Sequence, residues 1–295
     1  QDQYGLYVRG LILLSSALNL QAISFDPGND LPYALSLPSY TAVALYHGRL
    51  HGPLASDLDR SLQRVRAWAL GDYLSALAEG AVLPPARFQA AAHTLAEFTG
   101  LSEELIARSR LRIGNLAFVQ ELLGSEDRVL GLLDGRVTAP SVGPRGPWTD
   151  PSLFLVTGPF VAAFNSYVRT DLGFRTDEPY IFLSDRINES WNWETGRQGY
   201  FNVAPRLAEA MVLDERLKVF AASGYYDLTT PFLSQQYVFD HLDLPAALRE
   251  NIMLRRYASG HQIYTSPEAL RQLTADVKAF LAGPPLPSSI ARFPP

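Results

Sequence analysis

Residues 218–231 read KVFAASGYYDLTTP, and residues 252–264 read IMLRRYASGHQIY. Each opens on a short apolar run and passes through a glycine, Gly224 or Gly260, into a polar loop. Apolar runs of this length, bounded by turn residues, suit strands of a parallel sheet. Asp227 stands in the first loop and His261 in the second. A carboxylate that orients an imidazole is two thirds of a nucleophilic triad. A third run, Leu11 to Leu14, lies between Gly10 and Ser15 and reads as a strand buried on both faces. The two arginines of the 252–257 run place that strand near a sheet edge.

Helical patterns follow two of these strands. Pro231 to Leu242 forms one helix. Ser266 caps the other, with Pro267 at its first position and Leu270, Leu273, Val277, Phe280 and Leu281 along one face. Strand and helix alternate, so the fold class is α/β, and these are the later strands of a mostly parallel sheet. The long stretch before residue 218 needs structure of its own. Ser56 opens a helix carrying Leu58, Leu62, Val65, Ala69, Tyr73 and Leu77, and Pro85 to Thr99 is a second helix, ending at Gly100. Asp150-Pro151 starts a third, running to about Leu172. Between them, VLGLLDGRVT (129–138) suggests a small strand with a turn at Asp134-Gly135, and 138–151 is a Pro/Gly-rich loop. The expected organisation is a core from 1–25 and 201–295, with 26–200 as a large, mainly helical cap.

Composition narrows the function. The chain has 295 residues, 47% hydrophobic and 19% charged, which supplies a large core. Net charge is −5 without a basic block, which gives no reason to expect nucleic acid or an anionic membrane as partner. Apolar runs fall far short of a membrane span. Cysteine is absent, which excludes thiol catalysis, disulfides and sulfur-ligated metal. His47 and His51 have the spacing of two metal ligands on a helix, but Gly48 and Gly52-Pro53 argue against a helix there, so no metal is expected. His93 and His241 read as solvated. Trp191 and Trp193 in SWNWE read as aromatics that pin the cap to the core, rather than as cleft walls. Asn188-Glu189-Ser190 is formally a glycosylation sequon.

In α/β-hydrolases the triad runs nucleophile, acid, base along the chain, each on a loop at the C-terminal end of a strand. Asp227 and His261 have the order and placement of acid and base. The nucleophile belongs in a G-x-S-x-G turn, and no serine of this chain has glycine at both flanking positions. Gln1 to Tyr4 look like the last turn of a helix, with Gly5 just past its end. The expectation is a fragment whose N-terminal half is absent, with the serine about 12 to 20 residues before Gln1.

Longer stretches carry a resemblance. LILLSSALNLQAISFDPGNDLPYALSLPSYTAVALYHGRL (11–50), DPSLFLVTGPFVAAFNSYVRTDLGF (150–174), GYFNVAPRLAEAM (199–211) and KVFAASGYYDLTTPF (218–232) closely resemble bacterial members of the serine carboxypeptidase family. The resemblance implies the α/β-hydrolase fold and removal of C-terminal amino acids from peptides, without cofactor or metal. It gives Asp227 the role of triad acid and His261 that of base. It further implies an extracytoplasmic location. Tyr226 and Gln262 are the substrate-pocket candidates. Gln262 stands where the family often has Met lining the leaving-group pocket, and Tyr264 where it often has Pro. Two alternatives stay open: an acyltransferase or esterase using the same triad, and a non-catalytic binding protein on a hydrolase scaffold.

Overall fold

The computed structural model describes residues 5, 8–141, 149–193 and 199–283. Along the chain these form β1 (Gly10–Leu14), α1 (Leu31–Tyr46), α2 (Leu58–Trp68), α3 (Leu74–Glu79), α4 (Pro85–Thr99), α5 (Glu103–Arg108) and α6 (Asn115–Glu121). Then come β2 (Arg128–Leu130), β3 (Thr138–Pro140), α7 (Pro151–Thr170), α8 (Asp185–Ser190) and α9 (Ala204–Leu213). The chain closes with β4 (Lys218–Gly224), α10 (Phe232–Asp240), α11 (Ala246–Arg249), β5 (Ile252–Tyr257) and α12 (Pro267–Ala282). The fold is mixed α/β and mostly helical. The expected turn at residues 1–4, and much of the 138–151 loop, lie outside the described residues.

β1, β4 and β5 form one sheet in the order β1-β4-β5, every pair parallel. β4 is central, and Val219 to Ala222 are fully buried. Leu14 is level with Ala222, and Gly224 with Tyr257. Parallel strands in such a register deliver their C-terminal loops side by side, which puts the loops of Asp227 and His261 together. β5 is at the edge, as its arginines suggested. β1 is not buried on both faces. It pairs with β4 alone among the described residues, and Ile12 is 41% and Leu14 38% exposed.

α1 is the hub of the helical part. Leu35 and Ala42 pack with Phe232 and Leu233 of α10 and with the sheet, while Leu37, Tyr40 and Val43 pack into the helical layer beyond. There Tyr40 stacks on Phe118 with ring centroids 4.2 Å apart. α1 thus joins the helical layer to the sheet layer, on both sides of the expected boundary at residues 25/26.

Caps explain where the other helices start and stop. The Asp57 side chain, one residue beyond the expected Ser56, accepts from the N–H of Arg60 and opens α2. Residues 69–73 form a π turn that leads into α3. α4 ends at Gly100, whose φ of +70° is left-handed, and a Cβ there would lie 2.7 Å from that of Arg49. Ser266 caps α12 by accepting from Ala269 N–H, and Pro267 follows it. Ala269, Leu273 and Phe280 are the buried positions of α12, whereas Leu270 and Leu281 face solvent. The buried stripe is therefore narrower than the sequence pattern suggested. α7 begins at Asp150-Pro151, as its proline indicated, but only Pro151 and Ser152 of its 20 residues are buried. Among the described residues no helix is long and apolar enough to cross a membrane.

Candidate active site

The loop after β4 is organised by one carboxylate. Asp227 is fully buried, and its Oδ1 accepts from the backbone N–H groups of Thr229 and Thr230, each at 2.8 Å. Its Oδ2 accepts from the Thr230 hydroxyl at 2.7 Å and faces His261 Nδ1 at 2.9 Å. This is an Asx-type turn, in which an aspartate bonds the backbone two and three residues ahead. Four donors converge on two oxygens, so the carboxylate is locked in one rotamer.

The consequence falls on the imidazole. Because Asp227 accepts at Nδ1, that nitrogen carries the ring proton and Nε2 keeps its lone pair. The Thr230 hydroxyl also lies 3.1 Å from Nδ1. Nε2 makes no hydrogen bond among the described residues, and the His261 side chain is 29% exposed. Burial pulls the His261 pKa down, but the hydrogen bond and charge of Asp227 outweigh it, and the net shift is upward from 6.5. A tautomer-fixed imidazole on a partly exposed side chain, with no hydrogen bond at Nε2 among the described residues, can act as a general base.

Two glycines allow the loops to meet. A Cβ on Gly224 would lie 2.2 Å from Ser259 O and 2.3 Å from Gly260 O. A Cβ on Gly260 would lie 2.2 Å from Leu133 O. Each loop passes its neighbour at backbone-to-backbone distance, which only glycine permits. Ser15, at the end of β1, closes the floor of the site. Its hydroxyl donates to His261 O at 2.6 Å, and its own carbonyl accepts from Thr230 Oγ1 at 3.1 Å. That bond engages Ser15 with the backbone of His261 instead of its ring.

The segment between β2 and β3, expected as a turn at Asp134-Gly135, enters the site. Leu132 O accepts from Leu228 N–H, Leu133 O from His261 N–H, and Gly135 N–H donates to Tyr226 O. The Tyr226 ring is half-buried, stacks edge-to-face on Tyr46 and carries the Arg136 guanidinium 4.7 Å from its centroid. Gln262 is half-buried directly after His261, and its carbonyl accepts from Thr265 N–H and Thr265 Oγ1. Asp227, His261, Tyr226 and Gln262 therefore sit in one neighbourhood. Thr230, Arg136 and Leu133 belong to it too, though the sequence reading did not single them out. Thr230 had a visible signal in D-L-T-T, the residue pattern of an Asx turn.

Of the other candidates, His47 touches the turn that enters the site. His47 follows the last turn of α1, and its Nε2 is 2.8 Å from Gly135 O. Among the described residues no cluster of three or more His, Asp or Glu could hold a metal ion. Trp193 contacts Phe201 edge-on at 5.8 Å and is 39% exposed, while Trp191 is 59% exposed, more open to solvent than the expected pinning of cap to core implies. No protein-family model, curated protein or solved structure matches the chain.

Proposed function

We propose that this chain carries the acid–base pair of a serine-type hydrolase with an α/β-hydrolase fold, of the serine carboxypeptidase kind. One observation carries the reading: a saturated, fully buried carboxylate fixes the tautomer of an imidazole on the loop of the neighbouring parallel strand. A surface ion pair needs neither burial nor four converging donors. The resemblance of 11–50, 150–174, 199–211 and 218–232 to the carboxypeptidase family supplies the substrate class, the C-terminal residue of a peptide. It supplies an extracytoplasmic setting too.

In this reading a serine Oγ attacks the last peptide carbonyl while His261 Nε2 takes its proton. The C–N bond breaks as the imidazolium returns that proton to the departing amino acid. Water then repeats the sequence on the acyl-serine, with His261 again as base. Asp227 holds the imidazole and balances its charge throughout. The reading requires a serine from outside residues 1–295 to meet Nε2, and no metal or organic cofactor takes part.

The test uses the protein expressed from its gene with any adjoining coding sequence. Asp227→Asn and His261→Ala are compared with wild type for release of a C-terminal amino acid from a blocked dipeptide. Both variants should keep their fold and lose turnover by roughly 10⁴-fold, the order seen when the triad acid is neutralised in a serine protease. The double variant should be little worse than the more damaging single one, because triad members act as a unit. Activity within a few-fold of wild type, or loss only through unfolding, overturns the assignment.

A further inference from the structure

The loops that carry Asp227 and His261 come from different strands, and their relative placement fixes the Nδ1 to Oδ2 distance. Tyr225 N–H donates to Tyr257 O and Tyr226 N–H to Ser259 O, each at 3.0 Å, and the turn between β2 and β3 braces both loops from the other side. Leu132 O holds Leu228 N–H at 3.0 Å on the aspartate side, and Leu133 O holds His261 N–H at 2.6 Å on the histidine side. Gly135 N–H reaches back to Tyr226 O at 2.9 Å. One side chain spans the same gap. Arg136 Nη1 donates to Ala258 O at 2.8 Å, three residues before His261, and its guanidinium lies over Tyr226, the residue before Asp227. Nε and Nη2 bond both carboxylate oxygens of Asp134 at 3.0 and 2.7 Å, which fixes the plane of the guanidinium.

The turn is held from behind as well. Asp150 accepts from the N–H groups of Leu132 and Leu133, and Ser152 Oγ from those of Leu133 and Asp134. A Cβ on Gly135 would lie 2.5 Å from Val43 Cγ2, so the turn is wedged against α1.

We propose that Arg136 is a positioning residue for the Asp227–His261 pair, acting through the turn Leu132–Arg136, which locks the two loops in register. The inference rests on the acid–base reading of that pair. An arginine paired only with Asp134 would be a partly exposed local ion pair of small consequence. The contacts to Ala258 and Tyr226 make the difference, because they place a planar, three-way fork across both loops. Lysine, a point donor on a flexible stem, cannot reproduce that fork.

The chain has five histidines, so selective ¹⁵N-histidine labelling resolves the His261 ring. Two quantities are read by NMR on the protein expressed from its gene with any adjoining coding sequence: the resonance position of the Nδ1 proton and its exchange rate with solvent. Arg136→Ala should speed that exchange about tenfold or more, by loosening the loop pair rather than the fold, and move the resonance upfield. Arg136→Lys should fall between Arg136→Ala and wild type, with circular dichroism unchanged, and carries the test alone if the alanine variant does not fold. Asp227→Asn is the reference and should abolish the downfield proton. If folded Arg136 variants match wild type in both quantities while Asp227→Asn changes them, the positioning inference is overturned and the acid–base reading stands. If Asp227→Asn also changes nothing, both fall.

Discussion

Asp227 accepts four hydrogen bonds with no surface exposed, and His261 feels the result as a raised pKa. Burial alone would lower the histidine's pKa, so the upward shift measures the partner. A ¹⁵N titration should place His261 above its ordinary value of 6.5. Asp227→Asn should bring it below, because burial remains while the hydrogen bond to a carboxylate and its charge are gone. The sign for stability follows. The folded state holds the proton more tightly than the unfolded chain, so this stabilisation is full below about pH 6.5 and is lost as pH rises through the folded value. In the assembled hydrolase the same shift acts on rate. The base must be neutral, so the acid limb of kcat/KM should turn over above pH 6.5, not below. Thr230 is the second test at this scale. Thr230→Val keeps the shape but removes the one hydroxyl proton, which lies 2.7 Å from Asp227 Oδ2 and is shared with Ser15 O at 3.1 Å. A cost of about 1–3 kcal/mol in denaturant unfolding is expected, the range for a buried group left unsatisfied. An unchanged midpoint would mean that the hydroxyl contributes nothing.

At the scale of elements, β4 and β5 end on glycines or just before them because their loops cross at contact distance. Gly224→Ala and Gly260→Ala each push a methyl to 2.2 Å from a backbone oxygen of a neighbouring segment. Backbone cannot yield as a side-chain end can, so each variant should lose about 1–3 kcal/mol or more in thermal or denaturant unfolding. Gly124→Ala, with open space around its Cβ, is the control and should be nearly neutral. These strands, and α12 with its Ser266-Pro267 start, were legible because a local pattern encodes each of them: an apolar run closed by glycine, or a cap followed by an apolar stripe. α1 was not legible. It is buried on every side, so it has no polar face, and Pro38 inside it reads as a break. For Asp227 and His261, chain order and loop position were enough to pair them. The role of residues 132–136 was hidden, because it depends on backbone groups meeting across the fold, and backbone groups look alike in every sequence. β1 was misjudged for a related reason: an apolar run shows that a strand suits burial, not that something lies against it.

For the molecule as a whole, α7 presents a strongly apolar surface. α7 buries only its first two residues, yet it carries Phe154 at 79% exposure, with Leu155, Phe160, Phe164 and Tyr167 also open to solvent. Ile12 and Leu14 on β1 add a second exposed apolar row. Soluble monomers rarely leave contiguous apolar patches of this kind uncovered, and such patches drive association. The 295-residue chain made alone should therefore self-associate. Sedimentation velocity should give an average mass above 32.6 kDa that rises with concentration, and a fluorescent apolar dye should bind. The double substitution Phe154→Ser and Leu155→Ser should shift the distribution toward monomer without lowering the unfolding midpoint, since neither side chain is packed. The same preparation should stay unlabelled by a fluorophosphonate. That reagent needs an activated serine, and His261 Nε2 makes no hydrogen bond to one among the described residues. A monodisperse monomer at every concentration would show that the α7 surface is not exposed in solution, and a midpoint lowered by the double substitution would show that it is packed. Stoichiometric labelling at one serine, lost in His261→Ala, would place the nucleophile within these residues and refute the requirement for an external serine.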